Sequence, residues 1–564
     1  MTHRHHHDRH HAAHSLSPGD PAGRQPAAFT GRASFAAAVV AGAVALGACV
    51  GESVEDTGSA QESASELGTV EFPTSCSADV QPELERGLAL LHHMMYEQAR
   101  DVFEAAARTE EDCAMAHWGL AMSRFQPLWG SAQVDEGRAP AERAVALAST
   151  DRERAYAQAA SAFFEGEDLR LAERIRSWES AMEELHRAHP DDLEAQALYG
   201  LAVLAVDPAD REQQDAADAL LRPVYEAMPR HPGAIHYSIH VHDVEGRAEE
   251  GAEFARVYDE IAPSVPHALH MPSHIYVRLG EWQNVIDWNI RSADAALDHP
   301  AGDRISHHYP HALDYLMYGY LQRGQDERAA EVLEDLRSRE GYQRTFVSAY
   351  ALAAIPARWH VERRDWDGAA SLEPRVPETF PWDDFPAGEA MTWFARGLGA
   401  ARTGDLDAAA AAEERLAELE AAARSADDEY WADRIQVQRG SVMAWRALAE
   451  GRTDRAVEEM ERAAEIAAGQ EKSPVTPGNL QPAHELLGDL LLEAERPAEA
   501  LAAYERTLDT WPRRYHSLLG AARAAEEADG EGAESYYRAL AELAVDADPG
   551  RQGAREAREQ VEGR

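Results

Sequence analysis

Lysine is almost missing from this chain: Lys472 is the only one in 564 residues, so nearly all of the 54 basic side chains are arginine. Taken alone, that absence reads as GC-rich codon usage. Basic charge of any kind is short, since 100 Asp and Glu leave a formal charge of −46. Nucleic acid is thereby excluded as a partner, because phosphate binding needs a basic stripe and none is visible. Aromatic residues make up only 7%, and Val/Ile/Thr runs bounded by turn residues are scarce, which argues against a sheet protein. The motifs of common catalysis are missing too. There is no Gly-x-Ser-x-Gly elbow, no Walker-type phosphate loop, no Gly-x-Gly-x-x-Gly after a strand and no His-Glu-x-x-His. What remains is rich in Ala, Leu, Glu and Arg, the helix formers, in a chain too long for one core of about 250–300 residues.

The first 49 residues read as an address. Residues 1–32 are polar and basic, with a histidine-rich opening that processing would discard. An apolar stretch from Phe35 to Leu46 follows, too short to span a bilayer as a stable helix. It ends Leu46-Gly47-Ala48-Cys49, the small-residue close of an export signal. That ending resembles a bacterial lipobox. The resemblance implies that Cys49 is lipidated, that the lipid is the one attachment to a membrane, and, with Val50 next in line, that the protein faces the periplasm from the outer membrane. Residues 50–74 lack basic side chains and read as a disordered acidic tether. With Cys49 consumed, Cys76 and Cys113 remain as an even pair able to close a disulfide around the first hairpin.

Beyond the tether the pattern is helical and repetitive. Leu487-Gly488, Ala500, Tyr504 and Pro512 fall at the spacings of the tetratricopeptide (TPR) pattern. Small Gly488 and Ala500 let antiparallel helices approach, Tyr504 fills the groove between hairpins, and Pro512 stops the second helix. Weaker copies recur at Trp393/Gly397/Gly404/Ala409, Gly451/Ala456/Met460/Ala463, Gly324/Ala329 and Gly87/Ala99/Phe103/Ala106. A hairpin of this kind buries its apolar face only against stacked neighbours, so an all-α solenoid of TPR-like hairpins is expected. Two stacked arrays are expected, residues 75–372 and 389–547, divided by a Pro- and aromatic-rich linker at 373–388. An irregular excursion at 127–150 and a fraying charged tail at 548–564 complete the layout.

Three stretches resemble a group of bacterial tetratricopeptide proteins of unassigned function. They are Gly87 to His92 with Cys113 to Gly119, His267 to His274, and Ser517 to Arg523. The resemblance carries no catalytic residues. An array of this kind implies a binding or scaffolding protein of the cell envelope, its concave face taking a protein or peptide partner.

One feature goes beyond a plain scaffold. Eleven histidines fall between His231 and His311, where Pro232, Pro272 and Pro310 each announce a first helix. His236, His274 and His311 sit in or near those first turns, with His240 one turn beyond His236; His270 and His307 precede their prolines. First helices line the concave side, so these six imidazoles are candidates to hold zinc, copper or iron, with Asp243, Glu245 or Asp314 nearby. Helix N-termini carry positive potential, which favours an anion held with Arg278 or Arg304 instead. Packing and hydrogen bonding within a polar network is the third reading. His92-His93-Met94-Met95 with His117 forms a second soft-ligand patch, read as core filling.

Overall fold

A computed structural model describes residues 66–528 and 532–563, all within one compact unit. The export signal, the lipobox at Cys49 and the tether as far as residue 65 lie outside the described residues. The rest is all-α. Antiparallel pairs follow one another from Gln81–His92 with Tyr96–Thr109 to Tyr515–Ala528 with Ala533–Leu543, and only a hairpin of two-residue strands, Phe125–Gln126 and Ser131–Ala132, interrupts them. Cys76 and Cys113 are joined by a disulfide that staples the first pair to the start of the next.

The repeat positions work by contact. Tyr504 lies between two neighbouring hairpins, and a Cβ at Gly488 or at Gly520 would fall 2.8 Å or 2.2 Å from its ring. Its hydroxyl donates to Asp489 Oδ1 at 2.7 Å, so the ring is anchored at its tip as well as wedged at its body. Helix Pro497–Thr510 ends two residues before Pro512.

The buried core divides in two, though not at the linker. One part runs from Leu67 to Val285 and takes in Trp511 to Ala557; the other runs from Ile286 to Tyr504, straight through 373–388, where Phe380 and Trp382 are buried. The chain therefore doubles back. Its last hairpins dock on the turns of the middle ones: Trp282 Nε1 donates to Arg513 O at 2.9 Å, and Gly280 stands with φ +65 against Pro512 O, where any side chain would collide. Fully buried Arg514 ties this end down through Glu485, Glu362 and the Tyr318 hydroxyl.

Several expectations are corrected. Residues 66–74 are no tether, because Leu67 and Phe72 are completely buried in the first core. Residues 134–147 form a helix in spite of Pro140, leaving only 125–132 irregular. The tail carries the helix Gln552–Glu562, held by buried Ala554 and Ala557. Nor is the inward face an open groove between His236 and Arg358. The first helices there are buried all round, every residue of Pro232–His242 and of His308–Gln322 included. The segment 470–482 fills the space as a strap. Arg358 donates to Asn479 O at 3.1 Å, Arg434 donates to the Asn479 side chain at 2.8 Å, and Lys472 is buried at the strap's start.

The Tyr504 wedge gives a first test. Gly520→Ala adds a methyl where there is no room, and the expected loss is about 1–3 kcal/mol of stability in urea unfolding, the usual cost of overpacking. The same change at exposed Gly550, where nothing lies within 4 Å of the added methyl and φ is not positive, is expected to cost little and so isolates the packing cost.

Candidate metal centre

The histidines reach the interior from four short elements. His236 and His240 stand one turn apart on Pro232–His242, whose N-cap is His231, with Nδ1 accepting from Ala234 N at 3.0 Å. His267 and His270 lie on the five-residue helix Pro266–His270, and His274 follows on Pro272–Leu279 after Pro272 breaks the hydrogen-bond ladder. His311 lies on His308–Gln322, which begins two residues before Pro310 rather than at it.

One ring nitrogen each from His270, His274 and His311 lies within 4.8 Å of the other two. All three side chains are buried. Hydrogen bonds fix the rings. Asn289 Nδ2 donates to Val285 O at 2.7 Å, which turns Asn289 Oδ1 toward His270 Nδ1 at 2.7 Å. His274 Nδ1 meets the carboxylate of Asp243 at 2.8 Å. Both partners only accept, so both Nδ1 atoms carry hydrogen and both Nε2 atoms present lone pairs. Those two Nε2 atoms face each other at 2.9 Å. Two lone pairs at that distance repel unless a cation stands at them. A proton is disfavoured: burial, then the charge of Lys472, holds His274 well below its ordinary pKa, and burial holds His270 at about 4. Tyr315 closes the site, its hydroxyl 3.4 Å from His274 Nε2.

Asp243 is the orienting group. Besides His274 it accepts from Arg278 Nε at 3.0 Å and from Lys472 Nζ at 2.6 Å. This consumes Arg278, which also pairs with Glu471 at 3.0 Å, so the anion reading loses that cation. Asp314 is turned away to Arg358, 3.4 Å distant. Glu245 accepts from the Thr510 hydroxyl near the surface.

The other candidates separate. His236 and His240 join His267, with one nitrogen from each within 4.8 Å of the others. His307 joins neither group; its ring packs 4.4 Å from Trp129 and 4.6 Å from His308. A third cluster, His92, Glu194 and His231, gathers two imidazoles on one carboxylate. His92 bonds Tyr237 and Glu194 at 2.9 Å each, and His231 Nε2 lies 3.2 Å from the same carboxylate. Burial alone would raise Glu194, but His231 and His92 outweigh it and keep it ionised. In the soft-ligand patch Met94 and Met95 are core residues, His93 meets Tyr258 and Leu67 O at 3.0 Å, and His117 bonds Glu111 O.

The six-residue candidate set thus omitted His267, although His267, His270 and His274 recur at helical spacing. It also missed the orienters Asn289 and Tyr315, ordinary residue types whose roles exist only through the fold, and Lys472, whose rarity was visible.

Comparison with known proteins adds little. No protein-family model and no curated protein matches the chain. Among solved structures, the TPR domain of P58(IPK) aligns over 86% of this chain and 99% of its own, at 12% identity and a TM-score of 0.21. The chain's own geometry stands as described: a TPR-like stack of antiparallel helical hairpins.

Burial of neutral imidazoles sets the acid response. In the unfolded chain a histidine takes its proton near 6.5, whereas His270 waits until about 4 and His240 and His307 until about 3, because burial disfavours their charged forms. Below pH 6.5 the unfolded state therefore binds more protons and stability falls, by up to about 1.4 kcal/mol per pH unit per histidine. The urea midpoint of metal-free protein is expected to drop steadily from pH 6.5 to 4; a flat midpoint would show these rings accessible and titrating normally.

Proposed function

We propose that this protein binds a first-row transition-metal ion through His270, His274 and His311, inside a helical-hairpin scaffold. The observation that carries this is the pair of opposed Nε2 lone pairs, 2.9 Å apart, on two rings whose other nitrogens are pinned by Asp243 and Asn289. A carboxylate behind a ligating imidazole is the usual second support of a metal-binding histidine, fixing its tautomer and raising its basicity. A donor set of imidazoles without a direct carboxylate suits zinc or copper better than magnesium, calcium or manganese, and iron remains compatible. The Tyr315 hydroxyl stands where it can meet a bound ligand or the ion itself.

The scaffold supports a second reading, a partner-binding role, through one observation: the strap lies against the inward helices as an extended peptide would, its backbone carbonyls taken by Arg358 and Tyr350. A partner peptide on that face would have to displace the strap. We place the protein in the cell envelope as a lipoprotein acylated at Cys49, a reading supported by the sequence around Cys49 and by the Cys76–Cys113 disulfide, a bond suited to an oxidising compartment.

Elemental analysis tests the metal. Protein from metal-replete growth is expected to carry an ion stoichiometrically; less than about a tenth of an equivalent of every transition metal would overturn the reading. His270→Ala should abolish binding at this site, and Asn289→Ala, which only frees the ring, should weaken it about 10–100-fold in a competition titration. Mass spectrometry of the mature N-terminus checks the envelope reading, with diacylglyceryl mass on Cys49 as the expected result.

A further inference from the structure

We infer that His236, His240 and His267 form a second metal site beside the first, with an open position facing a cavity that admits a small aromatic ligand bearing an oxygen donor. The inference extends the proposed metal binding from one ion to two, but its ligands are separate, so either site can fail alone.

The ring nitrogens make the case. His236 Nδ1 donates to His92 O at 2.6 Å, which leaves Nε2 as a lone pair with no partner. His240 and His267 have no partner at either nitrogen. Their exposures are 0%, 6% and 1%, so bulk water does not make up the deficit. A buried polar atom with no hydrogen bond costs about 1–3 kcal/mol, and here five such nitrogens sit on three touching side chains. The His236 ring centroid lies 5.0 Å from that of His240 and 4.9 Å from that of His267. If these rings served only as packing, they would be expected to find partners, as the same residue type does at both nitrogens of His92 and of His93. One nitrogen from each lies within 4.8 Å of the other two instead, and a single cation at the point they share would satisfy three of the five.

The two groups are contiguous. His240 stands 5.7 Å from His274 by ring centroids, and His267 stands 6.0 Å from His270. The second group reaches a cavity through His240. A cavity of about 250 Å³ is lined by His240 and Asp243 and walled by Trp129, Phe346, Tyr430 and Trp431. Three protein ligands and an open fourth position are the arrangement of catalytic rather than structural metal sites. Three neutral imidazoles also leave the charge of the ion uncompensated, which favours an anionic oxygen donor as the fourth ligand. The aromatic walls select its body: a flat ring of benzoate or phenolate size.

The test uses the full-length mature protein, stripped of metal and then loaded with Co(II). Wild type is expected to retain two equivalents after gel filtration. His267→Ala and His270→Ala are each expected to retain one, and the double variant none, with circular dichroism confirming the fold. If an alanine variant does not fold, H267Q and H270Q take its place, and the wild-type stoichiometry alone still separates one site from two. One equivalent in wild type, lost in His270→Ala and kept in His267→Ala, overturns the second site and leaves the first standing. One equivalent lost only in His267→Ala supports the second site and removes the first. No retained cobalt overturns both. For the open position, benzoate is added to loaded His270→Ala and the visible cobalt spectrum is read. A saturable shift, absent in loaded His267→Ala, is expected; no shift at millimolar benzoate overturns the access claim.

Discussion

The carboxylate of Asp243 is the interaction on which the interior depends. Asp243 stands at the C-cap of Pro232–His242, where its backbone N–H donates to His240 O, and its carboxylate receives three donors: His274 from the next hairpin, Arg278 one turn further, and Lys472 from a segment more than two hundred residues away. Two cations and an imidazole in a space this dry would be intolerable without it. Removing one partner of a buried ion pair typically costs about 3–5 kcal/mol, because the remaining charge has no water to return to. The carboxylate therefore does two things at once. It turns His274 so that Nε2 faces His270, and it seals the interior by fastening the strap over it.

That seal explains the unusual burial of the first helices. In an open array such helices show one face to their partners and one to solvent, and their sequences alternate accordingly. Here Pro232–His242, His308–Gln322 and Phe346–Val361 are apolar almost all round, and their polar residues are histidine, tyrosine, serine, Gln322 and the paired Asp314 and Arg358. Histidine is the one side chain that suits both surroundings. Neutral, it packs like an aromatic ring, as His267 does against Trp129 at 5.2 Å; it still offers a lone pair. Charge in the interior is paired, as at Asp243 with Lys472 and Arg278, at Asp314 with Arg358, at the Arg514 group and at Glu194 with His92 and His231.

What could be read from the sequence was what local pattern dictates. The hairpins, the Gly488–Tyr504 contact and the crowding of histidines at proline-started helices all follow from spacing. What could not be read was whatever the doubling back of the chain creates. Nothing in residues 470–482 announces that they will lie across the inward faces; Pro474, Pro477 and Gly478 read only as a loop. Lys472 looked like an accident of composition and is instead buried, its pKa pushed down to about 8 because burial outweighs the pull of Asp243. Leu67 and Phe72 sit in a stretch with too few apolar residues to fold alone, and they are ordered because an existing core accepts them. His267 follows Pro266, a proline outside the series Pro232, Pro272 and Pro310 that announces the first helices, so local pattern gives it no place in the set.

The objection that helix starts repel cations weakens once the elements are located. His270 ends its own short helix, where the partial charge is negative, and His240 lies near the end of Pro232–His242. Of the three ligands at the first site, His274 and His311 stand in first turns, and Asp243 sits directly behind His274. The field at the shared point is thus set by one carboxylate and two helix ends of favourable sign against two of unfavourable sign. A helix of five residues contributes little either way, so the carboxylate decides. An anion would meet the opposite balance, with Asp243 in the way and Arg278 already spent on it. The same residue that makes the interior tolerable to Lys472 makes it hospitable to a metal ion and hostile to a free anion, unless the anion arrives bound to that ion.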